Sequence, residues 1–487
     1  MPLDCCSAPF DSPREACGVI GIWEPSGSIS IPDYLILGLT ELQHRGQESA
    51  GIAVCTGGEL QARIGMGKVR EVFPHGAPEL TGPMGIGHVR YSTTGSSVVQ
   101  NAGPFLVGTH GEHRGQMALA HNGNVSNSEE LGVLLHDITH NSTTDSEIVA
   151  HLLHAAPGAA FPERVRRVMP LLRGAYSFVI LTGCKLYGLR DPLGMRPLCL
   201  GRLGRGWVMA SETSAIEKLG GAYERDVAPG ELIEIGDDGL RSMQLEQSPR
   251  HAFCVFEHIY FAGAASYFGG TSVYAVRQAL GRKLAQEHPA PMVDIVGGVP
   301  DSAVPAAIAY AAEAGVPYGE VFIKSRYSDR SFIKPDQRLR QLEVDLKFSI
   351  VRHNVEGKRI VLVDDSIVRG NTMKRAIAAL RNYGAREEHL RISSPPLRNP
   401  CFYGIDIGSD EDLIAAHSSV DDIARYIGVD SLGYLSLEGL AEAVTGSDGP
   451  AAYSDFHGGH CYGCMHKLGY PYSARSAFES REPVAAG

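Results

Sequence analysis

No stretch of about 18 uninterrupted apolar residues occurs in the 487-residue chain, so no membrane span is expected. A basic excess is also missing. Lys plus Arg number 44 against 55 Asp plus Glu, a net charge of −11. That balance excludes a general surface for nucleic acid or anionic lipid, so an anionic substrate must be met by locally placed cations and backbone amides. Residues 1–16 contain Asp4, Asp11, Arg14 and Glu15 but no continuous apolar core. They read as a short propeptide rather than a secretory signal. No internal repeat or low-complexity block is present. Ten cysteines in a large chain without a secretion signal point to catalysis or metal binding in a reducing, cytoplasmic setting, not to a disulfide framework.

What is there is enough for two or three domains with full cores: 44% hydrophobic and 20% charged residues over 487 positions. Residues 17 to about 240 carry short apolar runs broken by glycine, such as Ser177–Leu181 and Glu231–Ile235, which predict an antiparallel, sheet-dominated domain with some helices. Helical spacing runs from Ser146 to His154, with Ser146 and Glu147 offering capping chemistry. A polar stretch from Gly236 to Arg250 marks a boundary. Beyond it, apolar runs at Met292–Val296 and Ile360–Val363 alternate with helical segments at Tyr274–Glu287, Ala303–Ala314 and Thr372–Tyr383. That alternation predicts a parallel, doubly wound sheet. The reading divides the chain into a propeptide (1–16), a first domain (17–245), a second (250–445) and a tail (446–487) with its own cysteine pair.

Cys17 begins an apolar run, where a lone cysteine is ordinarily a buried strand residue. Its company is unusual: His44–Gly51, Gly87–Thr93, His121–Asn124 and Thr144–Glu147. In that setting Cys17 reads as a nucleophile activated by removal of the preceding residues, which places a thiol and a free α-amine on one residue. Further on, Ile360–Thr372 predicts a buried strand, two emergent acids (Asp364, Asp365) and a small-residue loop into a helix at about Met373. Ligands bind at that end of open α/β sheets, and helix starts attract phosphate. The acids suit ribose hydroxyls or Mg²⁺. Gly298–Ala303 repeats the strand-to-helix geometry, and Lys324, Arg326 and Arg330 concentrate three cations within seven positions. Cys461 and Cys464 form a CxxC pair. With Cys254 and Cys401 they make a possible four-sulfur set, for which spacing alone suggests zinc first.

Together these segments resemble the amidophosphoribosyltransferase family, the glutamine phosphoribosylpyrophosphate amidotransferases, over nearly the whole span from Cys17 to Cys464. The resemblance implies an α+β N-terminal-nucleophile hydrolase domain (an αββα sandwich) of the class II glutamine amidotransferase kind, followed by an α/β type I phosphoribosyltransferase domain. It implies that Cys17 attacks the glutamine amide, with the Asn122 side chain and Gly123 N–H as oxyanion hole. Arg90 and Asp145 would hold the α-carboxylate and α-amine of glutamine, while Arg45 and Gly46 shape the pocket. Ammonia would pass through an internal channel to displace pyrophosphate from phosphoribosylpyrophosphate, the committing step of purine synthesis. Lys324, Arg326, Arg330, Ser366, Arg369, Gly370, Asn371 and Thr372 would bind that substrate, with Mg²⁺ near Ser302, Asp364 and Asp365. The contexts of Cys254, Cys401, Cys461 and Cys464 resemble the iron–sulfur members, favouring a [4Fe–4S] cluster over zinc. Purine nucleotides as inhibitors and a homotetramer are further implications.

Three positions depart from the family's usual pattern. Gly263-Ala264-Ala265-Ser266 stands where Arg-Pro-Asp-Ser is usual, Asp345 aligns with a basic residue, and Asn371 with a threonine. These leave two alternatives open: a paralogue aminating another sugar phosphate, and a phosphoribosylpyrophosphate-sensing regulator.

Overall fold

The computed structural model describes residues 17–91, 97–108, 115–135, 141–183, 185–248, 250–290, 292–324, 348–401, 403–405, 407, 410–446 and 459–466. The expected propeptide, Arg326, Arg330 and Asp345 lie outside the described residues, as does most of the tail.

Two antiparallel sheets occupy the first half of the chain. One has seven strands, ordered Ala222–Asp226, Cys199–Leu203, Gly206–Ala210, Gly18–Trp23, Met84–Arg90, Ser49–Thr56 and Glu59–Met66. The other has six, ordered Gly239–Gln244, Glu231–Gly236, Leu186–Arg190, Gly174–Thr182, Met117–Val125 and Phe105–Val107. Between them lies a dry layer in which Val19, Ala53 and Ile86 meet Ala120, Val179 and Ile233, all fully buried. Helix Ile31–Glu41 covers the outer face of the first sheet through Ile31, Leu35 and Leu39. Helices Asp145–Ala155 and Phe161–Val168 cover the outer face of the second. The result is four layers, helix–sheet–sheet–helix. Because both faces of each sheet are covered, the central strands read as near-continuous apolar runs, while the edge strands Glu59–Met66, Ala222–Asp226 and Gly239–Gln244 stay mixed and partly exposed. The helix cap differs from the sequence reading: Thr144, two residues before Ser146, accepts from Glu147 N, and Asp145 begins the helix.

The second half builds a parallel sheet, ordered Ile295–Gly298, Arg359–Asp364, Glu387–Ile392 and Ser431–Tyr434. Side chains alternate across it: Val361 and Val363 pack toward helices Val273–Glu287, Val304–Ala314 and Leu437–Thr445. Ile360 and Leu362 pack toward helices Asn371–Asn382 and Val420–Ile427. Helices on both faces are the doubly wound arrangement. The first strand starts at Ile295, later than expected, because Asp294 turns aside to pair with Arg359 (2.9 Å) and accept its N–H. Two short strands, Phe322–Lys324 and Phe348–Ile350, pair antiparallel beside the sheet. No helix among the described residues is long and apolar enough to cross a membrane.

Two candidate active sites and a four-cysteine cavity

Cys17 sits at the mouth of strand Gly18–Trp23, between Met84–Arg90 and Gly206–Ala210. Its thiol points to the Tyr91 carbonyl (3.5 Å) and lines a pocket with His88, Arg90, Gly123 and Asp145. Burial pushes the thiol up, more than the neighbouring Arg90 pulls it down. An unaided thiol here is therefore protonated at neutral pH, so attack needs a base close by. Arg90 is 4% exposed and paired with Glu48 at 3.3 Å. Asp145 opens its helix, accepts from Val125 N (2.8 Å) and presents a second oxygen to Ser146 Oγ (3.3 Å).

Asn122 and Gly123 lie mid-strand. Gly123 has φ +142, and a Cβ there would fall 2.0 Å from the Ala175 carbonyl, so only glycine fits. The Asn122 amide is fully buried, and neither its oxygen nor its nitrogen has a partner. Burying an unpaired amide costs free energy, which a ligand can return. Gly46 rests against the Val89–Arg90 backbone.

Arg45 is placed differently from a pocket-lining residue. Its side chain is 0% exposed and bridges Glu212 (2.6 Å) and Glu257 (2.9 Å) while Nε donates to the Cys17 carbonyl at 3.1 Å. Burial works against its charge, and the two carboxylates more than restore it. Arg45 thus sits behind Cys17, and removing one partner of such a buried pair typically costs about 3–5 kcal/mol.

At the parallel sheet, Asp364, Asp365 and Ser366 emerge from strand Arg359–Asp364 and are all nearly fully buried. Ser302 Oγ donates to one Asp365 oxygen (2.5 Å) and Ser366 Oγ to the other (2.6 Å). Burial raises the Asp365 carboxyl, against the pull of these hydroxyls and Arg277. Gly370, left-handed at φ +77, turns the loop into helix Asn371–Asn382, and Tyr426 Oη donates to Asn371 (2.5 Å). Thr372 lies in its first turn. Lys324 and Arg369 stand exposed at the rim, paired with Asp301 (2.7 Å) and Asp412 (2.9 Å).

Cys254, Cys401, Cys461 and Cys464 line one cavity with Met195, Arg196, Phe256, Tyr403 and Ile405. Phe253–Cys254 pairs in parallel with His460–Cys461, and the Cys464 carbonyl accepts from the N–H groups of Arg398 and Asn399. Sequence spacing brings none of these three segments together. Burial drives the Cys254 thiol up to about 12, with the Cys401 charge adding to it. A single zinc ion needs its sulfurs about 2.3 Å from one point. The Tyr403 N–H donates to Cys401 Sγ at 3.3 Å, and four soft sulfur donors around one cavity are a donor set that fits either zinc or an iron–sulfur group.

Residues 100–218 match the glutamine amidotransferase domain family, and residues 272–393 the phosphoribosyl transferase domain family. The amidophosphoribosyltransferase of Archaeoglobus fulgidus is 46% identical, covering 94% of this chain and 98% of its own. That of Bacillus subtilis is 42% identical over 93% of each. The chain belongs to the amidophosphoribosyltransferase family. Among solved structures, an allosteric regulatory enzyme of purine biosynthesis superposes with a TM-score of 0.86 at 42% identity, covering 93% of this chain and 96% of its own. The Bacillus subtilis glutamine phosphoribosylpyrophosphate amidotransferase, complexed with ADP and GMP, gives 0.85 at 41% identity, covering 93% and 97%.

Sequence reasoning missed Arg196, Glu212 and Glu257 as members of the site. Glu257 stands beside a quoted cysteine, but nothing in the spacing links Arg196 to a carboxylate 61 positions on. Only the folded contacts reveal that pairing.

Proposed function

We propose that this amidophosphoribosyltransferase converts glutamine and 5-phosphoribosyl 1-pyrophosphate to 5-phosphoribosylamine, glutamate and pyrophosphate, the first step of de novo purine synthesis. The unpartnered Asn122 amide beside the Cys17 pocket carries the reading of the glutamine half. We assign residues 17–245 to glutamine hydrolysis, 250–445 to phosphoribosyl transfer and 446–487 to the tail that supplies Cys461 and Cys464.

Once residues 1–16 are removed, the α-amine of Cys17 takes the thiol proton. The thiolate attacks the glutamine amide carbon, while Asn122 Nδ2 and the Gly123 N–H hold the developing oxyanion. The amine returns the proton to the departing ammonia, and water releases glutamate from the thioester. Arg90 and Asp145 bind the α-carboxylate and α-amine by charge-assisted hydrogen bonds. Gly46 and Arg45 shape the wall, Arg45 from behind.

At the second site the loop Ser366, Arg369, Gly370, Asn371 and Thr372 cradles the 5′-phosphate at a helix start. Lys324, with Arg326 and Arg330, meets the pyrophosphate. Asp364, Asp365 and Ser302 would hold Mg²⁺, which neutralises the leaving pyrophosphate. Magnesium usually binds through one or two carboxylates plus substrate phosphates, so no closed protein cage is needed. Cys254, Cys401, Cys461 and Cys464 would hold a [4Fe–4S] cluster as a structural group. Purine nucleotides resemble the phosphoribosyl ligand of this loop and act as inhibitors by occupying it. A cytoplasmic homotetramer completes the reading. Identities of 42–46% over nearly the whole chain favour it over a paralogue or a regulator.

The test is product release with and without phosphoribosylpyrophosphate. Glutamate and pyrophosphate should appear together. Cys17→Ala should lose glutamine-dependent synthesis by at least about 10⁴-fold yet keep synthesis from high external ammonia. Glutamine-dependent turnover surviving that change refutes the nucleophile.

A further inference from the structure

The four-cysteine cavity reaches the glutamine pocket by two independent routes. The first is electrostatic. Arg196 lines the cavity, is 1% exposed, and leaves its Nε–H without a partner. Its Nη2 donates to the Tyr403 carbonyl (2.9 Å) and its Nη1 to Glu257 Oε1 (3.4 Å). That same Glu257 oxygen accepts from Arg45 Nη2 at 2.9 Å, and Arg45 Nε holds the Cys17 carbonyl at 3.1 Å. The second route is steric. Gly404, three residues after Cys401, has φ +90, and a Cβ on it would lie 3.0 Å from Gly123 C and from Asn124 Cβ. The Cys401 loop is therefore the back wall of the Asn122–Gly123 strand.

A buried guanidinium N–H without an acceptor is costly. Thiolates and sulfides of an iron–sulfur group are acceptors and carry negative charge. We propose that Arg196 and Glu257 are positioning residues that transmit the occupancy of the four-cysteine cavity to Cys17. This rests on the iron–sulfur reading above. With an anionic cluster in place, Arg196 is drawn to it, and Glu257 is left to hold Arg45 against the Cys17 carbonyl. Without it, Arg196 turns its full charge on Glu257 and competes with Arg45 for one carboxylate. Cys17 then loses its fixed place.

The experiment uses the mature full-length chain, purified anaerobically, with iron and sulfide measured before and after stripping by a chelator. Alkylation of Cys17 by iodoacetamide is followed by mass spectrometry of the N-terminal peptide. Stripping should slow alkylation about tenfold in the wild type. Glu257→Gln should alkylate at one rate whatever its iron content, lower kcat for glutamine hydrolysis more than it changes KM, and keep ammonia-dependent synthesis as its control for folding. If that control fails, Arg196→Lys, which keeps charge but not the guanidinium fork, takes its place with the same expected loss of iron dependence. Protein without iron overturns the cluster reading and this inference with it. Iron-containing protein whose Cys17 alkylates equally fast after stripping overturns this inference alone. So does a variant that retains the wild-type iron dependence.

Discussion

The two candidate sites of this chain place their charges in opposite settings. In the first half, Cys17, Arg90, Asn122 and Asp145 are all buried: Arg90 and Asn122 lie on strands, Asp145 opens a helix and Cys17 immediately precedes a strand. In the second half, the acids and Arg277 are buried, but the two described candidates for meeting phosphate are not: Lys324 and Arg369 have side chains 61% and 45% exposed. Glutamine is small and zwitterionic, so fixed, desolvated charges can fit it without reorganising. A pyrophosphate carries several charges that remain partly hydrated until the substrate arrives. Backbone amides and solvated cations suit that task, and they cost less to keep ready than buried unpaired cations.

If this contrast is real, damage to the glutamine half should be steep and local. Asn122→Ala should lower kcat for glutamine hydrolysis about 10²–10³-fold. Ammonia-dependent synthesis should be unchanged in the same preparation, and an equal loss in both assays would erase the distinction between the halves.

The next largest effect concerns pH. Burial, reinforced by Arg90, lowers His88 in the glutamine pocket to about 3. The unfolded chain takes up that proton near pH 6.5, whereas the folded chain does not until about pH 3. Stability from this group is thus intact above about 6.5 and is lost as pH falls through that window, about 2 kcal/mol of it by pH 5. Thermal unfolding of the wild type between pH 7.5 and 5 should show the loss, and His88→Gln should lessen the slope, with His258, which burial also lowers to about 3, supplying a further part of it. An unaltered slope in the variant would place the acid-sensitive group elsewhere.

The smallest effect tests the transferase half. Ser302→Ala removes one of the two hydroxyls that orient Asp365. The Mg²⁺ concentration needed for half-maximal ammonia-dependent synthesis should rise about tenfold. Glutamine hydrolysis in the presence of the same substrate at saturating Mg²⁺ should not fall, and a fall would show that the two sites share more than ammonia.

Periodicity made the layers legible. Continuous apolar runs at Ser177–Leu181 and Ile360–Val363 became central strands because both faces of each sheet are covered. The local pattern made the placement of the acids at 364 and 365 legible, since acids after an apolar run emerge at the end of a buried strand, whereas Asn122 is pointed to only by the family resemblance. Only the family resemblance makes Arg45 a pocket residue. Its burial between Glu212 and Glu257 depends on partners 167 and 212 positions away, which no local pattern encodes. The departure at Gly263–Ser266 has a structural use that was equally invisible: Gly263 N and Ser266 Oγ both donate to Glu212 Oε2. That carboxylate also holds Arg45, so the altered segment supports the same buried network.

The pairing of Phe253–Cys254 with His460–Cys461 bears on the order in which the protein can be made. A ribosome delivers the glutamine half first, and such a unit can fold while the remainder is still being synthesised. Its partner strand arrives some two hundred residues later. A nascent chain can thus complete both sheets of its first half long before the seam is stitched, and a product cut short before Gly459 would look folded while lacking two of the four cysteines that line the cavity. Completion of synthesis, rather than collapse of the core, is then the event that separates a finished enzyme from an inert intermediate.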